Sequence, residues 1–208
     1  MKLIDMQVNE YLEVLKSDAP APGGGSVSAL AGAQGVGLFM MVADLTLGKE
    51  KYADYQEVCR EAKEKGMALY EELVEAVDKD TEAFNLVAAA FKMPKETDEE
   101  KAARKKAIAD GTLVSTQVPF RTMELGYEGL CLAQTMIGKS NPNAASDLGV
   151  AILNLTACIK GAWLNVKINL PGVKDEEKAA YYAEEGQKMY DAADAVAHDL
   201  YNRVAESL

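Results

Sequence analysis

The sequence predicts an all-α protein, a bundle of about six helices of which one or two are long and kinked. Apolar residues recur at intervals of three and four along most of the 208 residues, as they do on the buried faces of helices. No series of alternating apolar and polar runs suggests an array of strands, and proline and glycine interrupt the apolar segments. The length suits one domain covering residues 1–208.

The first two predicted helices flank a loop rich in proline and glycine. Residues 4–15 have helical spacing, and the loop follows from Ser17 to Gly25. The next helix, about Ser26 to Leu47, is apolar all round, which predicts a place in the middle of the bundle or at a dimer seam. Small residues four apart on it would let a neighbouring helix backbone approach closely. They are Ala29, Ala33 and Gly37.

The third predicted helix is a long amphipathic segment from Tyr52 to Phe91. Its inner stripe contains one carboxylate, that of Asp80. The other members of the stripe are apolar or small: Tyr55, Cys59, Ala62, Gly66, Leu69, Leu73, Val77, Phe84, Val87 and Phe91.

The fourth predicted helix begins at a capping box, since Thr97 and Glu100 have the required three-residue spacing. The first part of this helix is highly charged and its later part is apolar. Pro119 lacks a backbone N–H and should kink the helix or split it in two before it ends near Gly138.

The last two predicted helices follow a second loop, GKSNPNAASD, at residues 138–147. The first of them runs from Asp147 to Asn169 and ends before Pro171 and Gly172. Asp175 opens the acidic first turn of the final helix. One face of that helix is apolar or small: Tyr182, Gly186, Met189, Ala193, Val196, Leu200 and Val204.

Composition and charge exclude several classes of partner. There are 33 acidic against 22 basic residues, and the net charge of −11 argues against nucleic acid or an anionic membrane as a partner. Any anionic ligand must therefore be held by a local site. Three cysteines without a CxxC pair, and an N-terminus without a secretory h-region, predict reduced, buried thiols in a cytoplasmic protein. The apolar run from Val27 to Ala43 approaches membrane-span length, but it is short and contains Gln34, so a bundle helix is predicted instead.

The stretch PAPGGGS at residues 20–26 is the first candidate functional element. Two prolines stiffen the approach, glycines permit backbone conformations closed to other residues, and Ser26 can cap the following helix. The free N–H groups of Gly23, Gly24 and Gly25 would then form an anion or oxyanion site. The alternative is a tight turn between packed helices. A nucleotide-binding P-loop is excluded, because no strand precedes the glycines and no Gly-Lys-Ser follows them.

The fifth predicted helix carries the second candidate. Four polar side chains project within about 40° of one direction around its axis: Asp147, Asn154, Asn165 and Asn169. Lysines of the same helix point to nearly the opposite side. We expect the Asp and Asn side chains to line a polar cavity, since buried polar groups need hydrogen-bond partners. The alternatives are an Asn ladder against another helix, or Asp147 as a plain N-cap.

Asp80 is the third candidate. A carboxylate within an apolar stripe should have a raised pKa unless it is paired, which suits proton transfer near neutral pH. The alternative is that Asp80 caps a local break in the helix at residues 78–81. His198, the only histidine, is predicted at the surface, and the scattered His and Cys residues assemble no metal ligand set.

Several of these stretches, in the same order along nearly the whole chain, resemble the cyclodeaminase/cyclohydrolase family of folate enzymes. They are PAPGGGSVSALAGA, LGKEKY, DTEAFNLVAAAFKMP, VP at residues 118–119, NPNAASDLGVA and GAWLNVKINLPGV. The resemblance implies an all-α fold, a homodimer whose active-site cleft is lined by these motifs, and a tetrahydrofolate derivative as substrate with no further cofactor. Since no transferase domain precedes the match, we expect the stand-alone form of the family.

Both reactions of this family take place at the one-carbon bridge between the 5- and 10-nitrogens of tetrahydrofolate. We expect the methenyltetrahydrofolate cyclohydrolase reaction, in which water attacks the methenyl carbon and 10-formyltetrahydrofolate forms. The alternative is the formimidoyltetrahydrofolate cyclodeaminase reaction, which releases ammonia. A remoter alternative is a non-catalytic helical dimer scaffold.

The resemblance also implies roles for the candidate residues. Asp147 would transfer protons, and Asp80 would be the partner acid or an anchor for the pterin amino groups. Lys139 would contact the glutamate carboxylate of the substrate. The side chains that would hold the pterin or the reacting water are Asn143, Asn165 and Asn169. The groups that would bind an anion or oxyanion are Ser26, Ser28 and the backbone of Gly23, Gly24 and Gly25.

Overall fold

The computed structural model describes residues 2–208 as six α-helices joined by short loops and 3₁₀ turns. The α-helices are α1 (Val8–Leu15), α2 (Gly24–Asp44), α3 (Gln56–Phe91), α4 (Asp98–Met136), α5 (Ala145–Asn169) and α6 (Glu176–Ala205). The 3₁₀ turns are Leu3–Asp5, Glu50–Tyr55, Pro142–Ala144 and Leu170–Gly172. Residues 2–208 contain no β-strand. The all-α prediction is confirmed, and each predicted helix is present within a few residues of its expected ends.

Four helices form a bundle in which each packs against two neighbours. α2 packs on α3 and α5, and α4 packs on the same two helices from the opposite side. α6 lies outside this bundle against α5 and also reaches α4. Side chains from all four bundle helices meet in one core, where Phe39, Leu73, Met123 and Leu155 are completely buried.

Glycines of α2 allow the backbones of α2 and α5 to come close together. A Cβ on Gly35 would lie 2.9 Å from the Ala151 carbonyl oxygen, and one on Gly32 would lie 2.7 Å from Cys158 Sγ. The predicted close approach is therefore present, but it depends on these two glycines. Gly37, which was expected to share the role, has no atom nearer than 3.7 Å to its Cβ position.

Pro119 does not split α4, which is continuous from Asp98 to Met136. A proline has no N–H to donate to the carbonyl four residues earlier, so the Ser115 carbonyl loses its helical partner. Asn169 Nδ2 donates to that carbonyl oxygen at 2.8 Å. The predicted helix break is thus repaired from outside by the last residue of α5, which holds the end of α5 against the middle of α4. The predicted capping box of Thr97 and Glu100 is confirmed.

α2 is not buried on every side as predicted, since Gln34 and Met41 are exposed. By length and composition alone, α2 and the segment Pro142–Gly172 around α5 are apolar enough to cross a membrane. In the 18-residue apolar stretch of each segment, 56% and 50% of the stretch, respectively, is buried inside the protein. Burial of about half of each stretch is typical of helices in the middle of a bundle.

The predicted inner stripe of α3 is confirmed over most of its length, but the prediction is wrong near the end of the helix. The positions from Cys59 to Val77 that were predicted to face inward are buried. Phe84 is exposed, while Ala83 is buried in its place, because a stripe read in steps of three and four drifts around a long helix. Cys131 is exposed as well, so the expectation of three buried thiols is wrong for that residue.

Candidate active site

A cavity of about 320 Å³ lies where the start of α2, the last third of α3, the middle of α4 and the end of α5 meet. We call it the Asp80 cavity, because Asp80 is the one charged side chain among the described residues that line it. The other polar groups of the lining come from Gly23, Gly24, Ser115, Asn165 and Asn169. Phe84, Val87 and Ile168 add an apolar side.

The triple-glycine turn begins α2 earlier than predicted. α2 starts at Gly24 with Gly23 as its N-cap, so no side-chain hydrogen bond from the N-cap residue caps the helix. Ser26 is therefore not the N-cap, and its hydroxyl donates to the Val77 carbonyl at 2.8 Å. The backbone N–H of Ser26 donates to Asp80 Oδ2 at 2.9 Å. A carboxyl group of α3 thus satisfies an N–H of the first turn of α2.

Gly25 is the position at which a glycine is indispensable. A Cβ there would overlap the Asp80 carboxyl group, which occupies that space. A Cβ on Gly24 would lie 3.3 Å from Asn165 Nδ2, whereas no atom lies within 4 Å of the Cβ position of Gly23. None of the three has a positive φ. Gly25 is therefore needed for the close approach of α2 to a carboxyl group, and Gly24 for its close approach to the end of α5.

Burial raises the pKa of Asp80, and the hydrogen bonds from the Ser26 N–H and hydroxyl oppose that rise without cancelling it. A carboxyl group whose pKa is moved toward neutrality can both accept and return a proton. Tyr11 of α1 has a raised pKa as well, first because of burial and then because of the charge of Asp80. The Tyr11 hydroxyl is buried and has no hydrogen-bond partner among the described residues. The helical spacing of residues 4–15 alone did not distinguish Tyr11 from its neighbours.

Asn165 and Asn169 donate their side-chain N–H groups to backbone carbonyls. Asn165 Nδ2 donates to the Gly161 carbonyl at 2.8 Å, and Asn169 Nδ2 donates to the Asn165 carbonyl at 2.9 Å as well as to Ser115. An amide has both a donor and an acceptor end. The side-chain oxygens of both residues are therefore left as acceptors at the cavity wall.

Ser28 is not part of the cavity lining. Its hydroxyl donates to the Gly24 carbonyl at 2.7 Å and occupies the space left by the missing Cβ of Gly161. Gly25 and Ser26 also lie behind the wall, where both are buried. These residues support the lining, and the structure gives no direct access from the cavity to the two hydroxyls.

Asp147 lies far from the Asp80 cavity. It is in the first turn of α5, and Asn165 follows 18 positions later. At about 1.5 Å per residue, the two are about 27 Å apart along the helix, although they point in the same direction around it. Helical periodicity predicts the direction of a side chain around the axis but not which residues lie close together along it. Within one chain, the structure does not bring Asp147 to the cavity, and the sequence prediction needs this correction.

Lys139 and Asn143 belong to the same distant end of α5 and need the same correction. The Asn143 N–H donates to Asn141 Oδ1 at 3.1 Å, and that oxygen also accepts the Tyr52 hydroxyl at 2.6 Å. A separate cavity of about 240 Å³ lies beside this turn, with Tyr52 and Lys51 in its lining. The stretches LGKEKY and NPNAASDLGVA therefore meet at one end of α5, and PAPGGGS and DTEAF meet at the other.

Residues 2–208 bring together no group of three or more His, Cys, Asp or Glu side chains that could hold a metal ion. His198 is exposed, as predicted, and its Nε2 lies 3.1 Å from Asn202 Nδ2. The chemistry available in the Asp80 cavity is therefore that of one carboxyl group, two amides and the backbone N–H groups at the start of α2.

Comparison with known proteins places this site in context. The family described as formiminotransferase-cyclodeaminase matches residues 7–188. A methenyltetrahydrofolate cyclohydrolase of Methylorubrum extorquens is 37% identical over 201 residues, which cover 97% of this chain and 95% of that protein. A formimidoyltransferase-cyclodeaminase of Gallus gallus is 32% identical over 176 residues, which cover 84% of this chain and 32% of that protein. The chain thus spans about a third of the latter relative's length.

A solved structure also has the same fold. The formiminotetrahydrofolate cyclodeaminase of Thermotoga maritima superposes with a TM-score of 0.79, covering 98% of this chain and 96% of the other. The two sequences are 24% identical in that comparison. At this level of identity the likeness shows a common helical architecture.

Proposed function

The chain belongs to the formiminotransferase-cyclodeaminase family, and from that premise we propose that it is an enzyme of folate one-carbon metabolism, a methenyltetrahydrofolate cyclohydrolase. It would convert 5,10-methenyltetrahydrofolate and water into 10-formyltetrahydrofolate. The observation that carries this choice is the 37% identity to a cyclohydrolase over nearly the whole of both chains. The alternative within the family is the cyclodeaminase reaction, which the longer relatives support.

The Asp80 carboxyl group supplies the acid–base chemistry of the proposed reaction. As water adds to the cationic methenyl carbon, the ionised carboxylate accepts a proton from it. The tetrahedral carbon then carries a hydroxyl and both nitrogens. When the bond from carbon to the 5-nitrogen breaks, that nitrogen takes a proton, the hydroxyl loses one, and the formyl group stays on the 10-nitrogen. One proton is released overall, as the loss of the cationic charge requires.

The remaining groups of the cavity would bind the substrate. The N–H groups of Gly23 and Gly24, which line the cavity, are at the positive end of α2, which suits the oxygen of the tetrahedral intermediate. Asn165 and Asn169 offer side-chain oxygens that can accept hydrogen bonds from the pterin amino groups. Phe84 offers an aromatic surface beside them.

A paired assay tests the proposed function. The purified protein is given 5,10-methenyltetrahydrofolate in one reaction and 5-formimidoyltetrahydrofolate in another. Loss of methenyl absorbance without ammonia release is the expected result, whereas ammonia release from the second substrate would assign the cyclodeaminase reaction instead. A scaffold without catalysis would show neither reaction and no saturable binding of a folate analogue.

We propose in addition that the protein is a homodimer formed through α5. An exposed apolar stripe runs along this helix, with Leu164 and Ile168 at 63% and 78% exposure. The other exposed members of the stripe are Val150, Leu153 and Ala157. An apolar stripe of this kind along a central helix is typical of a surface that a second copy covers.

In the proposed dimer, Asp147, Asn143 and Lys139 of one subunit would lie near the Asp80 cavity of the other. If two α5 helices pair antiparallel with their centre near Ala157, the partner's Asp147 comes level with Lys167, between Asn165 and Asn169. Asn143 and Lys139 of the partner subunit would then lie on the same side. The shared direction of Asp147 and the Asn residues around α5 supports this arrangement, because all of them flank the exposed stripe.

The remaining expectations are also proposals. We propose that residues 1–208 form a single domain and that the protein is cytoplasmic. We also propose that it needs no cofactor beyond the folate substrate, since folate is consumed in the proposed reaction. The net charge of −11 supports the absence of nucleic-acid and membrane partners.

A further inference from the structure

The hydroxyl of Tyr11 is a buried polar group with no hydrogen-bond partner among the described residues. Tyr11 is 8% exposed, and it is the only buried residue of α1. A buried hydroxyl that bonds to nothing destabilises a fold, so such a group in a folded protein needs a physical reason. A phenylalanine would fill the same space without this cost.

Tyr11 lies beside the part of α3 that carries Asp80. Before α1, the Leu3 N–H donates to the Asp78 carboxyl group at 2.6 Å. After α1, the Ser26 N–H in the first turn of α2 donates to Asp80 at 2.9 Å. The segment that contains α1 is thus bound to one turn of α3 on both sides. Burial, and then the charge of Asp80, raise the pKa of Tyr11, as expected for two groups that are close together.

The Asp80 carboxylate has fewer hydrogen-bond donors than it can accept. The Ser26 N–H donates to Oδ2, but the Ser26 hydroxyl has a single proton and lies closer to the Val77 carbonyl, at 2.8 Å, than to Oδ2, at 3.3 Å. The other carboxylate oxygen, Oδ1, accepts no hydrogen bond from the described residues. A carboxylate has about four acceptor positions, so a further donor would stabilise the ionised form of Asp80.

The other charged groups around Asp80 are exposed or already bound. Asp78 is occupied by the Leu3 N–H, the first turn of α2 contains no acidic residue, and α4 and α5 add only neutral side chains to the cavity. In the proposed dimer the Asp147 carboxyl group of the second copy would also be near, in wild type and variants alike. The charged residues of the N-terminal segment and of the neighbouring α3 turn are exposed: Lys2, Asp5, Glu10, Glu13, Lys79 and Glu82.

We propose that Tyr11 is a positioning residue for the proposed reaction, and that its hydroxyl donates a hydrogen bond to the Asp80 carboxylate when substrate occupies the cavity. This inference rests on the proposed function, in which Asp80 accepts a proton from the attacking water. No direct hydrogen bond joins the two groups in this structure, and such bonds are often long in unliganded enzymes and tighten when substrate binds. The bond would oppose the effect of burial and keep more of Asp80 in the carboxylate form near neutral pH.

Tyr11→Phe tests this role, because it removes only the hydroxyl. Loss of a donor to the carboxylate raises the pKa of Asp80, so the acid side of the kcat profile should move to higher pH by about half a unit to one unit. At a pH below this pKa, kcat should fall by about threefold to tenfold. KM, and kcat at the upper plateau of the profile, should stay at the wild-type level. In the Asp80→Asn background, Tyr11→Phe should leave kcat unchanged, since the carboxyl group is gone.

Carbon-13 NMR of the carboxyl groups gives a measurement that does not depend on turnover. The Asp80 signal is the one that disappears in Asp80→Asn. With 5-formyltetrahydrofolate bound, this signal should titrate at a higher pH in Tyr11→Phe than in the wild type. Equal titration in the two proteins would overturn the proposal. A wild-type protein that neither binds 5-formyltetrahydrofolate nor turns over 5,10-methenyltetrahydrofolate would refute the proposed function instead.

Tyr182→Phe is the matched control. Tyr182 is also buried, but it lies on α6, and its hydroxyl accepts a hydrogen bond from Gln117 Nε2 at 3.2 Å. This variant should keep the wild-type pH profile. If Tyr11 has only a packing role, Tyr11→Phe should raise the melting temperature, because an unsatisfied hydroxyl is removed, and should leave the pH profile as it is. That pair of results would contradict the proposal.

Discussion

The Asp80 carboxyl group occupies the space in which a side chain of Gly25 would begin. The same carboxyl group accepts the Ser26 N–H at 2.9 Å. The glycine of α2 and the carboxylate of α3 are therefore one structural unit, in which the first turn of one helix is built around the side chain of another. This relationship explains the third glycine of the run at the start of this apolar helix.

Substitution of Gly25 by alanine should displace Asp80. The added methyl group overlaps the carboxyl group, so either that group or the start of α2 must move. We expect kcat/KM for 5,10-methenyltetrahydrofolate to fall by about 100-fold or more, since a misplaced acid–base group loses most of its effect. Gly37→Ala on the same helix, where the nearest atom is 3.7 Å away, is the matched control and should retain wild-type activity. Equal activity of the two variants would contradict the unit described above.

Replacement of Asp80 by asparagine should abolish proton transfer while keeping the size of the side chain. We expect kcat to fall by about 100-fold or more. In the wild type, kcat should decline on the acid side of the pH profile at a pH above the usual range of an Asp, because burial raises the pKa of Asp80. That decline should be missing from the residual activity of Asp80→Asn. A profile of identical shape in both proteins would assign the ionisation to another group.

The same variant should be more stable than the wild type at neutral pH. With a pKa that is higher in the folded than in the unfolded state, Asp80 favours folding fully below its unfolded pKa, and this contribution is lost as pH rises through the folded pKa. Asparagine has no charge to bury and can still accept the Ser26 N–H. The difference in melting temperature, Asp80→Asn minus wild type, should therefore grow as pH rises from 3 to 7. A difference that shrinks with rising pH would show that Asp80 is stabilised as the ion.

The proposed dimer can be tested by complementation. Asp80→Asn and Asp147→Asn should each have low activity as pure proteins. When they are unfolded and refolded together, half of the dimers are mixed, and each mixed dimer has one intact site. About a quarter of wild-type activity should therefore return. No recovery on mixing would show that Asp147 and Asp80 do not act at one shared site.

The interface itself has a separate test. Leu164→Asp and Ile168→Asp place a charge in the exposed stripe of α5 and should yield a monomer in sedimentation or gel filtration. Leu86→Asp is the control, since Leu86 is similarly exposed but lies on α3 outside the stripe. Dimers in all three variants would place the interface elsewhere.

The hydrogen bond between Asn169 and the Ser115 carbonyl should be coupled to Pro119. Asn169→Ala should lower the free energy of unfolding by about 1 kcal/mol, since it removes the donor that replaces the missing helical N–H. In a Pro119→Ala background the helix has its own N–H again, and the same substitution should cost less. A double-mutant cycle from urea unfolding measures the difference. Strict additivity would show that the bond does not substitute for the helical one.

The helices and much of the functional hypothesis follow from local patterns in the sequence. Spacing of apolar residues located six helices, and the spacing of Thr97 and Glu100 located a capping box, because these features depend on neighbours within a turn or two. Asp80 was recognisable as a carboxylate in an apolar stripe for the same reason. The order of the family-like stretches predicted the family, which the match over residues 7–188 establishes.

Which of these residues meet depends on the packing of the helices and could not be read from the sequence. Helical periodicity gives the direction of a side chain around its axis, so it grouped Asp147 with Asn165 although about 27 Å of helix lies between them. Ser26 has the chemistry of an N-cap, but the Asp80 carboxyl group, 54 positions away, satisfies its N–H. Residues of the first turns of α4 line one small cavity together with Lys174 from the segment after α5, a contact between segments distant in sequence. Contacts of this kind depend on how helices pack, and that packing is a property of the whole core.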